Sequence, residues 1–152
     1  MAANKDNAEA QYWTAVLYSD KKDLANAKDV AKSWYIKSAK QGYAKAMGQL
    51  AWILHNEGTP EGKKQAFEWW HKAAQKGHVI SQYNLALCYD NAWGINRSKA
   101  NAVEWFIKAA NLKHKEAIAK VEELKKKYNA SIMVDEAHGM GVFGRQGRGV
   151  CD

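Results

Sequence analysis

Two sets of side chains in this 152-residue sequence could do chemistry. One is local. An apolar run, Ile132-Met-Val134, delivers Asp135-Glu-Ala-His138 into a stretch where five of the eleven glycines fall between Gly139 and Gly149. The other is spread over residues 1–128, where aromatic and amide side chains recur at helical spacing. The usual reactive constellations are missing from that body. His55, His71, His78 and His114 are scattered, with no His-Glu-x-x-His pair for zinc, so surface or packing roles are expected of them. Neither a Gly-rich phosphate loop ending in Lys-Ser/Thr nor a Gly-x-Ser-x-Gly elbow occurs. Two cysteines, Cys88 and Cys151, cannot build a disulfide framework or a four-thiolate zinc site, and Cys88 reads as a small core residue. No catalytic residue, metal site or cofactor is expected.

Composition divides the chain near Tyr128-Asn129. Residues 1–128 carry 21 basic and 13 acidic side chains, with all 20 lysines and all seven tryptophans. Residues 129–152 carry two basic and three acidic ones. A hydrophobic share of 47% with 11% aromatics is too rich for intrinsic disorder of the whole. No stretch approaches the roughly 20 apolar residues of a membrane span, and the first residues lack the apolar core of a signal peptide. No membrane partner is expected, and a cytoplasmic location is the default.

The body is governed by a repeat. Ser33-Trp-Tyr-Ile-Lys-Ser-Ala-Lys-Gln-Gly42 matches Glu68-Trp-Trp-His-Lys-Ala-Ala-Gln-Lys-Gly77 and Glu104-Trp-Phe-Ile-Lys-Ala-Ala-Asn-Leu-Lys113. Trp34, Trp69 and Trp105 are spaced by 35 and then 36 residues, as are Ala31, Ala66 and Ala102, and Lys37, Lys72 and Lys108. Each copy has an apolar stripe at i, i+3, i+4, i+7 and i+8, such as Ala66, Trp69, Trp70, Ala73 and Ala74, which predicts a helix. Gly42 and Gly77 stand where a left-handed residue ends one, and Lys113 takes that place in the last copy. A second helix precedes each: Ala10, Thr14, Leu17 and Tyr18, then Ala46, Leu50, Ile53 and Leu54, then Ser81, Leu85, Cys88 and Tyr89. A fourth such stripe, Ala117, Val121 and Leu124, predicts a charged capping helix. Seven helices are therefore expected, near 8–19, 26–41, 44–56, 63–76, 79–90, 99–112 and 115–128, with Glu57-Gly-Thr-Pro-Glu-Gly62 and Trp93-Gly-Ile-Asn96 as turns.

The run Ser81-Gln-Tyr-Asn-Leu-Ala-Leu-Cys-Tyr89, the loop Asn91-Ala-Trp-Gly-Ile95 and Lys99-Ala-Asn-Ala-Val-Glu-Trp-Phe-Ile-Lys-Ala-Ala110 resemble a Sel1-like repeat. The resemblance covers roughly residues 8–128, in units of about 8–42, 43–77 and 78–113 plus the cap at 115–128. It is weaker in the first unit, where Thr14 replaces the usual Leu. It implies an all-α fold, a right-handed α-solenoid of helix hairpins like a tetratricopeptide array, acting as a non-enzymatic protein-protein interaction adaptor or scaffold. Stability in such an array comes from stacking neighbours, for which about three repeats are the usual minimum.

The resemblance also implies that the first helix of each pair lines a concave face. The side opposite the packing stripe there carries Tyr12 and Val16, then Lys45, Trp52, His55 and Asn56, then Tyr83, Leu87 and Asn91. Trp and Tyr are frequent hot-spot residues, and an Asn amide can both donate to and accept from a peptide backbone. Packing between repeats is the competing role for Trp52 and Tyr83. A protein or peptide partner, acidic to suit the basic body, is expected on a monomer. A nucleic-acid module ranks lower, because the body holds one Arg, Arg97, and its lysines supply mainly phosphate attraction.

The tail, residues 129–152, needs its own reading. Helicases of the DEAH type share Asp135-Glu-Ala-His138 but also need the phosphate loop missing here. With Gly139-Met-Gly-Val-Phe-Gly-Arg-Gln-Gly-Arg-Gly149, the stretch resembles a short piece of the α-oxoamine synthases, pyridoxal-phosphate enzymes that condense an amino acid with an acyl thioester. That resemblance implies Asp135 against the cofactor's pyridine nitrogen and His138 at its ring hydroxyl. The family's Schiff-base lysine lies downstream, and no lysine follows Lys127 here. The tail is expected to be a fused or misjoined fragment, disordered or laid on the last helix, with no cofactor bound.

Overall fold

The computed structural model describes residues 2–127, with side chains from Asn7 onward. Seven helices follow in order: α1 Ala2–Ser19, α2 Ala27–Lys40, α3 Ala44–Asn56, α4 Pro60–Gln75, α5 Val79–Asn91, α6 Lys99–Asn111 and α7 Lys115–Lys127. No strand occurs among the described residues. Each helix packs on its neighbours in sequence, most extensively within the pairs α1–α2, α3–α4 and α5–α6. The result is a solenoid of hairpins with α7 closing the end, as the repeat requires. The expected tail, its boundary at 128 and its strand-like run lie outside the described residues.

Local chemistry sets the ends. Thr59 caps α4 by accepting a hydrogen bond from the Gly62 N–H at 2.8 Å, with Pro60 inside the first turn. Helix α4 therefore begins three residues earlier than the turn residues Gly58 and Pro60 suggested: the proline starts the helix instead of preceding it. Helix α1 likewise reaches back to Ala2 rather than starting at 8. At the other ends, Gly42 and Gly77 take φ of +92° and +91°, and Lys113 takes +72° at the same point of the third copy. All three close their helices identically. The next N–H reaches back five residues, from Tyr43 to Ser38, His78 to Ala73 and His114 to Ala109.

The interior is built of two buried clusters, with half-buried Tyr89 and Trp105 packed against both. One cluster joins Ala15, Ala31, Tyr35, Ala46, Leu50, Ala66, Trp70, Ala73, Leu85 and Cys88, and a second joins Ala86, Ala102, Phe106 and Leu124. Within the repeated motif, the residue after the recurrent indole is the one fully enclosed: Tyr35, Trp70 and Phe106 are 4%, 1% and 1% exposed. Trp34, Trp69 and Trp105 are only half-buried. Their outer faces are covered by the lysine three residues on, with Lys37, Lys72 and Lys108 Nζ at 4.3, 4.8 and 4.2 Å from the ring centres. The lysines that recur with the repeat thus stay exposed in the last turns of their helices while lying over the indoles. The first helix differs from its equivalents: Ala10 is exposed where Ala46 and Ser81 are buried, and Leu17 is 63% exposed where Ile53 is half-buried and Cys88 fully buried. Helices α3 and α5 receive α2 and α4 on that face, and no helix among the described residues precedes α1 to cover it.

Candidate functional site

The first helices α3 and α5 share a face that packing leaves open. On α3, Lys45, Gly48, Gln49 and Trp52 fall at i, i+3, i+4 and i+7, opposite the buried Ala46, Leu50 and Leu54. On α5, Ile80 and Asn84 continue that face. With Tyr12 from α1 and His78 at the start of α5, these residues line an open groove of about 460 Å³. Its floor is at Gly48, where an added Cβ would lie 3.0 Å from both His78 Cε1 and Ser81 Oγ, so glycine lets α5 approach α3 closely.

Trp52 is 52% exposed in this groove. Its inner side is supported by His55, stacked at 6.3 Å between ring centres and 27° between planes. His55 in turn lies 4.5 Å from the Trp93 ring and 5.6 Å from Trp70. It is a packing wedge between α3, α4 and the loop that follows α5. Burial, and then the Lys63 charge, hold its pKa below the usual histidine value, so it stays neutral near neutral pH. His78 is similar: burial first, then Lys45, lowers its pKa, and its Nδ1 shares a 2.7 Å hydrogen bond with Ser81 Oγ. Lys45 is exposed and has no acidic partner among the described residues.

Of the residues expected on the binding face, the groove brings together Tyr12, Lys45 and Trp52. The others lie elsewhere. Val16 is half-buried against the main core, and Leu87 against the second cluster. Tyr83 is wedged 5.7 Å from Phe106 and 4.8 Å from His114, the packing role that competed with binding. Asn56 is exposed at the last residue of α3. Asn91 turns its amide onto its own helix, donating to the Leu87 carbonyl at 3.0 Å. Asp135 and His138 lie outside the described residues. Gly48, Gln49, His78, Ile80 and Asn84 line the groove without having been singled out. The signal was present: Gln49 and Asn84 are repeat equivalents, 35 residues apart, one helical turn beyond the equivalent pair Lys45 and Ile80.

No group of three or more potential metal ligands occurs among the described residues. Cys88 is fully buried, and burial pushes its thiol up to about 12, which leaves it without thiolate character. No described helix is long and apolar enough to cross a membrane.

The fold and groove define a helical-hairpin repeat protein. The Sel1 repeat matches residues 8–43, 44–78 and 79–114, and the chain belongs to that family. Its repeats are typically protein-interaction modules without enzymatic activity of their own. The chain is similar to a protective antigen of uropathogenic Escherichia coli displaying an SLR fold, at 34% identity and a TM-score of 0.75 over 83% of this chain and 27% of that one. A Sel1 repeat protein from Oxalobacter formigenes gives 26% identity and a TM-score of 0.69 over 80% of this chain and 94% of that one. Chitin synthase regulatory factor 3 of Schizosaccharomyces pombe is 33% identical over 93 residues, 59% of this chain and 10% of that protein. A separate 35-residue likeness, 71% identical, links 23% of this chain to 9% of the serine palmitoyltransferase of Bacteroides ovatus. The chain therefore spans about a tenth of the length of these curated relatives.

Proposed function

We propose that the chain is a non-enzymatic adaptor that holds a protein or peptide partner in the groove on its concave face. The observation that carries this is Trp52: a large aromatic, half in solvent, seated in the groove and braced by His55 instead of being drawn into the core. An exposed, rigidly backed indole among polar side chains has the character of a binding hot spot. The Lys45 charge and the net of +7 on the whole chain favour an acidic partner. An affinity pull-down with the full chain, repeated with Trp52→Ala, tests the reading. Loss of captured partners at unchanged helicity supports it; full retention by a folded variant refutes it.

The 35-residue likeness to serine palmitoyltransferase favours a second reading, an accessory or remnant of a pyridoxal-phosphate α-oxoamine synthase. The tail carries Asp135 and His138, yet none of the 25 residues after Lys127 is a lysine that could form the Schiff base. The residues present do not make that site. Titration of the full chain with pyridoxal phosphate decides it: an absorbance band lost in Asp135→Asn would establish this reading.

A further inference from the structure

Gln49 and Asn84 are the least explained side chains of the groove. They stand at equivalent points of α3 and α5, both line the open face, and among the described residues neither amide has a hydrogen-bond partner. Recurrence of an amide at an open position cannot be a packing requirement. The neighbouring equivalents differ freely, Lys45 against Ile80 and Trp52 against Leu87. A carboxamide offers one acceptor beside two donors, which matches the C=O and N–H of a single peptide unit. A helical ligand has already spent those groups internally, whereas an extended one presents them. An extended chain advances about 3.3 Å per residue, so amides on successive first helices meet peptide units a few residues apart. Trp52 and Ile80, both more than half exposed, supply apolar walls, and Lys45 is the sole charged residue lining the groove.

We propose that the groove reads the backbone of an extended segment, Gln49 and Asn84 each gripping one peptide unit, and that the segment pairs an apolar side chain with an acidic one. The apolar group rests between Trp52 and Ile80, and the carboxylate meets Lys45. This rests on the groove being the binding site.

The test is selection of a random 12-residue peptide display library on the full chain, followed by affinities of the enriched peptides. The expected sequences place Asp or Glu within a few residues of an aromatic or aliphatic side chain. Gln49→Ala and Asn84→Ala should each weaken binding about tenfold, the scale of a lost pair of hydrogen bonds. N-methylation of the gripped peptide units should do the same with the unaltered protein, so the outcome does not depend on the variants folding. Lys45→Ala should flatten the salt dependence. If Trp52→Ala abolishes binding while the two amide variants and N-methylated peptides bind as before, the groove stands and the backbone grip falls. If Trp52→Ala binds normally, the groove reading itself fails. Enriched peptides without acidic residues, peptides that bind as helices, or a library without binders would each overturn the proposal.

Discussion

Trp69 and Trp70 are adjacent in sequence and belong to the same repeated motif, yet their truncation should differ several-fold in cost. Trp70 is 1% exposed in the centre of the main cluster. A tryptophan buries up to ~250 Å², worth at most ~6 kcal/mol at about 25 cal/mol per Å², and truncation in cores is measured at ~3–5 kcal/mol. Against a total stability of ~5–15 kcal/mol, Trp70→Ala should leave the array barely folded. Trp69 is half-buried beneath Lys72, so Trp69→Ala should cost ~1–2 kcal/mol from the smaller lost area and the lost cation–π contact. Trp70→Phe sharpens the comparison. The indole Nε1 is buried without a hydrogen-bond partner, so its removal relieves an unsatisfied donor worth ~1–3 kcal/mol while some packing is lost. The net change should lie within about 1 kcal/mol. Urea unfolding followed by far-UV circular dichroism gives all three, with an unchanged m confirming that the midpoint shift reports stability. A Trp69→Ala cost equal to that of Trp70→Ala would refute the assignment of the second aromatic as the seam residue.

Other consequences are smaller. Lys113 holds φ of +72° where the other copies use glycine, so Lys113→Gly should stabilise by about 0.5–1 kcal/mol and raise Tm by a few degrees in a thermal scan. A lowered Tm would mean that the Lys113 side chain makes a compensating contribution. His55 and His78 both have folded pKa values held below 6.5, so the unfolded chain takes up protons first as the solution is acidified. Stability should be full above about pH 7 and fall as pH drops through the unfolded value of 6.5, levelling off below the folded pKa values. Urea midpoints between pH 8 and pH 5 should show that slope, and His55→Phe should flatten it. Lys108→Met keeps the stem but removes the charge over Trp105, and should cost no more than about 1 kcal/mol, read from the same midpoints.

Much of the fold was legible because repetition makes a sequence its own comparison. Alanines at 31, 66 and 102 and the indoles at 34, 69 and 105 located α2, α4 and α6, and an equally spaced stripe located α3, α5 and α7. Depth was less legible. Periodicity places two adjacent aromatics on one helix face but does not say which points inward, and it does not show that the exposed heads of the three lysines lie over the rings. Helix α1 obeyed the stripe pattern yet left Leu17 in solvent, because burial depends on a helix packed against that face and none among the described residues precedes α1. The groove was legible in part for the same reason. Tyr12, Lys45 and Trp52 follow from the face opposite the stripe, but that face is wide, and Tyr83 and Leu87 on its margin meet α6 and α7 instead.

The copies agree where they stack and disagree where they face the groove, and this division carries a physical consequence. Ala31, Ala66 and Ala102 are interchangeable because each meets the same close helix approach, and a larger side chain would force the layers apart. Glu9, Lys45 and Ile80 occupy one equivalent position and share no chemistry, and neither do Val16, Trp52 and Leu87. Nothing in the stacking constrains the first of these sets, so its variation is available for recognition. Between them lies a third set, Trp13, Gln49 and Asn84, in which two of three copies keep an amide on an open surface. A ligand spanning repeats presents different side chains to successive units but the same backbone to each. Agreement at 49 and 84 beside disagreement at 45 and 80 is what such a ligand would impose. The grip should end where Trp13 replaces the amide, so Trp13→Gln should extend the footprint of a bound extended peptide by one repeat, measured as added protection from amide exchange on the peptide. An unchanged footprint would mean that the amide position does not track the ligand's backbone.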